Sequence, residues 1–248
     1  MEMRLSDWRI RDIFYVLVLY FVVFSIFLFV EAKLFGEGVL NNTGISLKLF
    51  LLEDIIDNLI LFLLPILFVI KVYEANIKEI GFTLQNLKRN SGLGLIVGIS
   101  LWIAASVLDF IVESIWGVSP IHPYIQQLKE SETLISYFAT LISIILLAPI
   151  SEEVYCRGFA YTIFKRRFGE IAGVILSSLL FAGLHFNALW FIQIFIIGIG
   201  LALLFERTGS LVSVIIAHSI SNLLSMYVGN VALRVIVWVK MSHEILIT

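Results

Sequence analysis

Cys156 is the only cysteine, so no intrachain disulfide can form and redox compartment is unconstrained. Four prolines interrupt 248 residues. Charged residues make up 15% of the chain, with a formal net charge of -2 and no concentrated basic footprint, so a nucleic-acid partner is not expected. No internal repeat and no low-complexity tract are present. The zinc-protease element H-E-x-x-H is also missing.

Apolar sequence is abundant. The chain is 60% apolar, with twenty phenylalanines and a mean hydropathy of +1.00. A soluble domain is about half apolar by a similar count, so this excess calls for lipid. The first apolar run, Ile13 to Val30, is longer than a signal h-region and has no convincing small-residue cleavage site, so it reads as a retained span.

Helices crossing hydrocarbon need about 20 apolar residues. Candidate spans cover residues 12–34, 51–73, 92–114, 132–151, 170–187, 188–206, 209–228 and a short 229–241. The expected fold is therefore all-α: one polytopic membrane bundle over 1–248, of seven or eight transmembrane helices, around a polar cavity. Residues 75–90 read as an interfacial helix, and 115–131, with Pro120, His122 and Pro123, as an outer loop. Arg4, Arg9 and Arg11 precede the first span. Lys71, Lys78, Lys88 and Arg89 follow the second, Lys165-Arg166-Arg167 the fourth, and Arg207 the sixth. By the positive-inside rule the N-terminus faces the cytoplasm, in what is expected to be a prokaryotic cell membrane.

Ionisable groups at membrane depth are expensive and mark function by default. Three clusters qualify. In Ser151-Glu152-Glu153-Val154-Tyr155-Cys156-Arg157-Gly158, helical spacing places Glu153 and Arg157 on one face and turns Glu152 toward that of Cys156. Arg157 would neutralise Glu153, leaving Glu152 to enter a cavity as a general base, or all three would form an interfacial ion-pair network. Pro149, just upstream, predicts a kink or break. Cys156 could be a small core residue or, paired with a histidine, a nucleophile. Glu53, Asp54, Asp57 and Asn58 near the start of the second span could cap that helix or line a water-filled passage.

The second and third clusters hold histidines well inside apolar helices. His185 follows Phe181 by one turn, and the ring could wall the pocket and fix the imidazole by packing. His185 could orient a water beside Glu152 or protonate a leaving amine. His218 and Asn222 share a face and could donate to an oxyanion. Alternatively, each histidine could bond a neighbouring helix. Glu152, His185 and His218 could instead be ligands of a catalytic zinc, although water activation without metal or other cofactor is preferred. His122 and His243 receive no role.

These clusters, in this order, resemble the CAAX prenyl protease and bacteriocin-processing family (CPBP, or Abi), which includes the Rce1-like intramembrane glutamate endopeptidases. The resemblance covers residues 132–224, with 1–114 as variable N-terminal helices. It rests on Glu152, Glu153 and Arg157, on Phe181 and His185, and on His218 and Asn222; Ala148-Pro149 and Gly158 also match. It implies peptide-bond hydrolysis in which Glu152 and His185 activate water, His218 and Asn222 hold the oxyanion, and Glu153 and Arg157 support them. Phe181 and Cys156 would wall the substrate pocket, with Cys156 standing where an aromatic residue is common. The implied partners are membrane lipids and a lipidated or hydrophobic peptide. The substrate would be the C-terminal tail of a prenylated CAAX-type protein or, alternatively, a non-prenylated membrane peptide or bacteriocin. A non-enzymatic immunity or scaffold protein is a competing class. A small transporter or proton relay is another, disfavoured by the lack of inverted repeats.

Overall fold

The computed structural model describes residues 8–35, 47–116 and 134–227. Most of the expected outer loop and the short span 229–241, with His122 and His243, lie outside the described residues. Seven helices in chain order make up the described chain. They are α1 (Ile10–Phe35), α2 (Leu47–Leu67), α3 (Leu87–Trp116), α4 (Leu134–Phe168), α5 (Glu170–Leu184), α6 (Phe191–Thr208) and α7 (Leu211–Tyr227). The chain is all-α among these residues. Five helices, α1, α2 with its extension to Val72, α3, α4 and α6, are long and apolar enough to cross a membrane, while α5 and α7 are shorter. The exterior is apolar: Phe14, Val18, Ile26 and Phe29 of α1 are each more than half exposed. A surface this apolar suits contact with lipid, as a multi-pass membrane protein requires.

Three expectations need correction. Residues 75–90 do not form an interfacial helix; they hold one 3-10 turn, Ile77–Ile80, and α3 already begins at Leu87. Asn76 accepts from the amide of Lys78, and Gly81, at a φ of 92°, ends the turn in a conformation costly for a side chain. The fourth span does not stop at residue 151 but runs on to Phe168 as part of one 35-residue helix. Pro149 does not break that helix. A π-helical turn at Ser143–Leu147 precedes a short α segment, Ala148–Glu153, and a second π stretch follows at Val154–Tyr161. Widened turns of this kind absorb a missing amide without ending a helix, and they recur at functional sites.

The basic segments gather at one end of the bundle. Tyr73 donates to Asp12 at 2.6 Å and stacks on Trp8, ring centroids 4.6 Å apart. Burial, together with that bond, raises the Tyr73 phenol above its usual pKa. Arg166 covers the other ring contact, 4.6 Å from the Trp8 ring, and lies 3.8 Å from Glu79. The amide of Leu211 bonds the Gly81 carbonyl. These contacts join the start of α1, the α2–α3 link, the end of α4 and the α6–α7 link.

Glycines set the distance between α3 and α7. A Cβ on Gly94 would lie 2.6 Å from the Ser213 carbonyl oxygen, and one on Gly98 would lie 2.6 Å from that of Ala217. Helix backbones therefore touch directly along a small-xxx-small face. Ala217 immediately precedes His218, so this contact decides how deeply the histidine is seated.

Candidate active site

Glu153 and Arg157 sit at the centre of the bundle, both with no side-chain exposure. Their spacing on α4 lets Nη1 of Arg157 donate to Oε1 of Glu153 at 2.8 Å, as the sequence pattern expects. Nη2 donates to the Gly198 carbonyl of α6 at 3.1 Å, and the guanidinium carbon lies 4.2 Å from the centre of the Phe181 ring. Burying this cation therefore relies on a carboxylate, a carbonyl and a π face together, because an isolated charge in such a place would cost far too much.

His218 of α7 meets the same carboxylate. Its Nδ1 lies 2.8 Å from Oε1 of Glu153. An ionised carboxylate can only accept, so Nδ1 carries the proton and donates. The other ring nitrogen, Nε2, then faces Oε2 of Glu152 at 3.8 Å, too long for a direct bond. That Glu152 oxygen is buried and has no hydrogen-bond partner among the described residues. Two adjacent glutamates thus have different surroundings: Oε1 of Glu153 is held by both Arg157 and His218, whereas Glu152 stands 3.8 Å from His218; Oε2 of each is buried without a hydrogen-bond partner among the described residues.

His185 does not lie within a helix as expected; α5 ends at Leu184 and His185 is its C-cap. Its Nδ1 lies 2.8 Å from the Phe181 carbonyl, an acceptor, which again puts the proton on Nδ1 and turns a bare Nε2 outward. Phe181 is 2% exposed and packs edge-on against both imidazoles, 4.9 Å from His185 and 5.6 Å from His218 between centroids. The ring therefore holds Arg157 on one side and both histidines on others. The same ring walls two cavities.

One cavity, of about 210 Å³, lies between α1, α2, α4 and α5 and is lined by Glu152 and His185 with Tyr20, Asp54, Asp57 and Asn58. The other, of about 180 Å³, lies between α3, α5, α6 and α7 and is lined by His185, His218 and Asn222. His185 and Phe181 belong to both. The acidic residues of α2 are not a cap, because α2 begins at Leu47 and places Asp54 and Asp57 beyond its first turn. They reach the Glu152 side instead. Tyr20 donates to Asp57, and Ser151 donates to Asn58 at 2.7 Å.

Two sequence-predicted residues differ from expectation. Cys156 is fully buried within the hydrophobic core beside Tyr155 and Phe159 and lines neither cavity, since a thiol packs as a small apolar group. Asn222 does not hold its amide wholly free for an oxyanion; Nδ2 donates to the Ile144 carbonyl of α4 at 3.0 Å, leaving one N–H. The zinc alternative does not fit. Among the described residues no three His, Cys, Asp or Glu groups are placed to hold an ion, Glu152, His185 and His218 included. Sequence reasoning missed Gly94 and Gly98, which position α7; the G-x-x-x-G spacing on an apolar helix was the available signal.

Comparison with known proteins covers the segment that holds these residues. Residues 134–224 match the family described as type II CAAX prenyl endopeptidase Rce1-like. The chain is also similar to an uncharacterized 24.3 kDa protein of Escherichia coli, 25% identical over 141 residues, which are 54% of this chain and 65% of that protein. The chain thus spans just under two thirds of that relative. No solved structure matches it. The segment that carries Glu152, Arg157, His185, His218 and Asn222 lies within the residues that match the Rce1-like family.

Proposed function

We propose that this protein is an intramembrane endopeptidase that hydrolyses a peptide bond with water activated by Glu152. The observation that carries the reading is the free, buried oxygen of Glu152, facing Nε2 of His218 across 3.8 Å in a carboxylate that also shares a cavity with His185. A carboxylate oxygen without a hydrogen-bond partner is open to accept the proton of a nearby water. Nε2 of His185, bare because Nδ1 is bound to Phe181, accepts the second hydrogen of that water and aims its oxygen.

The chemistry follows from these positions. Glu152 takes one proton as the water oxygen adds to the substrate carbonyl carbon. The carbonyl π bond opens to an oxyanion, which accepts from the remaining Asn222 N–H and, when Nε2 of His218 also carries a proton, from that N–H, the ring being oriented by Glu153. Glu152 returns its proton to the amide nitrogen, the C–N bond breaks, and the amine leaves. Glu153 and Arg157 touch no reacting atom; they hold His218 and each other.

The family description favours a prenylated C-terminal tail as substrate, and lateral entry from lipid suits such a tail. A non-prenylated membrane peptide is the second reading, favoured by the size of the cavity beside His218, about 180 Å³, which accommodates a side chain more readily than a long prenyl chain. Purified protein in proteoliposomes, given matched farnesylated and unmodified CAAX-type peptides, tests both by mass mapping of the products. Cleavage of either peptide that persists with a chelator present supports the reading. No cleavage of any peptide by folded protein refutes it.

A further inference from the structure

The cavity between α3, α6 and α7 contains a buried amide that the mechanism does not use. Gln193, in the first turn of α6, is 6% exposed and lines this cavity with His218 and Asn222. Its Nε2 donates to the Ala105 carbonyl of α3 at 3.2 Å. A carbonyl cannot donate, so the NH2 end must face Ala105 and the identity of the other atom is settled: it is Oε1, an acceptor. That oxygen is buried and has no hydrogen-bond partner among the described residues.

Leaving a buried amide oxygen without a donor costs free energy, and leucine or methionine would fill the same volume without that cost. A peptide lying across His218 and Asn222 brings both kinds of backbone group. Its scissile carbonyl goes to their donors, and its nearby N–H groups arrive stripped of water and in need of an acceptor. The rest of the wall is mainly apolar, with Ile194, Ile197 and Trp190, and includes Asn187, Ser221 and Ser225.

We infer that Gln193 positions the substrate: Oε1 accepts a backbone N–H from a residue flanking the scissile bond, whose apolar side chain fills the cavity beside His218. This rests on the protease reading above and names the kind of substrate that site takes, a segment with a free amide N–H and an apolar side chain next to the cut. Gln193 touches no reacting atom, so its loss should act on how well the peptide is held in register.

The experiment uses the full-length protein in proteoliposomes and whichever CAAX-type peptide, farnesylated or unmodified, the wild type cleaves. Each non-scissile amide flanking the cut is replaced in turn by an ester, which deletes one N–H and keeps the shape. One ester position is expected to lower wild-type kcat/KM about five- to tenfold. Gln193→Leu should lower kcat/KM on the parent peptide by a similar factor and lose nothing further at that same ester position, while remaining as heat-stable as wild type. Gln193→Met serves as a second variant should the leucine not fold. The inference is overturned if no ester position affects the wild type, or if both variants cleave the parent peptide as well as wild type does. It is also overturned if variant and wild type are penalised alike at every position. If the wild type cleaves no peptide, the protease reading itself fails and this one fails with it.

Discussion

Asn222 donates its side-chain amide to the main-chain carbonyl of Ile144, 3.0 Å away on another helix. The π turn before the glutamates explains why that carbonyl is available. Its last bond runs from the Ala148 amide to the Ser143 carbonyl. The next bond in the same register would run from residue 149 to Ile144, but residue 149 is proline and has no N–H. Asn222 supplies the missing donor. Pro149→Ala restores a competing amide, so Asn222 should lose its anchor: cleavage is expected to fall about tenfold while thermal stability holds or rises. Asn222→Ala should lose about 100-fold or more in kcat, the effect of removing an oxyanion donor. Steady-state kinetics and melting curves in detergent check both.

Glu152 and Glu153 are neighbours with opposite expected consequences. Glu152→Gln should reduce cleavage by about a thousandfold or more without lowering the melting temperature, because that side chain has a free oxygen and no ion pair within hydrogen-bonding distance. Glu153→Gln strands the buried Arg157 and removes the charged acceptor of His218, so it should cost about 3–5 kcal/mol of stability. Equal stability losses in the two variants would contradict this division.

Gly98 holds α7 close to α3. Adding a Cβ places it 2.6 Å from the Ala217 carbonyl and 2.9 Å from Ile220, so Gly98→Ala must push α7 outward and carry His218 with it. The expected cost is about 1–3 kcal/mol, with a larger proportional loss of cleavage. Gly92 on the same helix is the control: nothing lies within 4 Å of its added Cβ, and Gly92→Ala should be neutral or slightly stabilising.

Cys156 lies in the core and away from both cavities. Cys156→Ala should keep cleavage within about threefold of wild type while losing about 1–2 kcal/mol for the small void. A membrane-permeant maleimide should neither label nor inhibit the native protein. Rapid inactivation by the reagent would reopen the cysteine-nucleophile alternative.

Much of the centre could be read along single helices. The four-residue spacing of Glu153 and Arg157 anticipates their ion pair, because helical pitch alone brings such groups together. The spacing of Phe181 and His185 likewise anticipates their contact. Cross-helix partners were not legible. Nothing in the pattern of α7 says that His218 would bond Glu153, 65 residues earlier, or that an asparagine would serve a carbonyl 78 residues away. Cys156 was misplaced for a related reason: a thiol is compatible with either a core or a cavity wall, and only packing against Tyr155 and Phe159 selects the core. The acids of α2 were open between cap and cavity because the start of the helix decides between them, and helix ends are weakly encoded where apolar sequence continues past them.

By itself, the sequence determined that this chain is helical and lipid-facing, and which few polar residues its helices must shelter. Periodicity and hydropathy are local properties, so they survive without knowledge of the fold. Tertiary structure alone decided which glutamate is held by Arg157 and His218, which nitrogen of each histidine faces outward, and that two cavities share Phe181 and His185. Those outcomes depend on how helices are spaced and rotated against one another, and that is set by many weak contacts and a few glycines acting together, none of which is encoded in one segment.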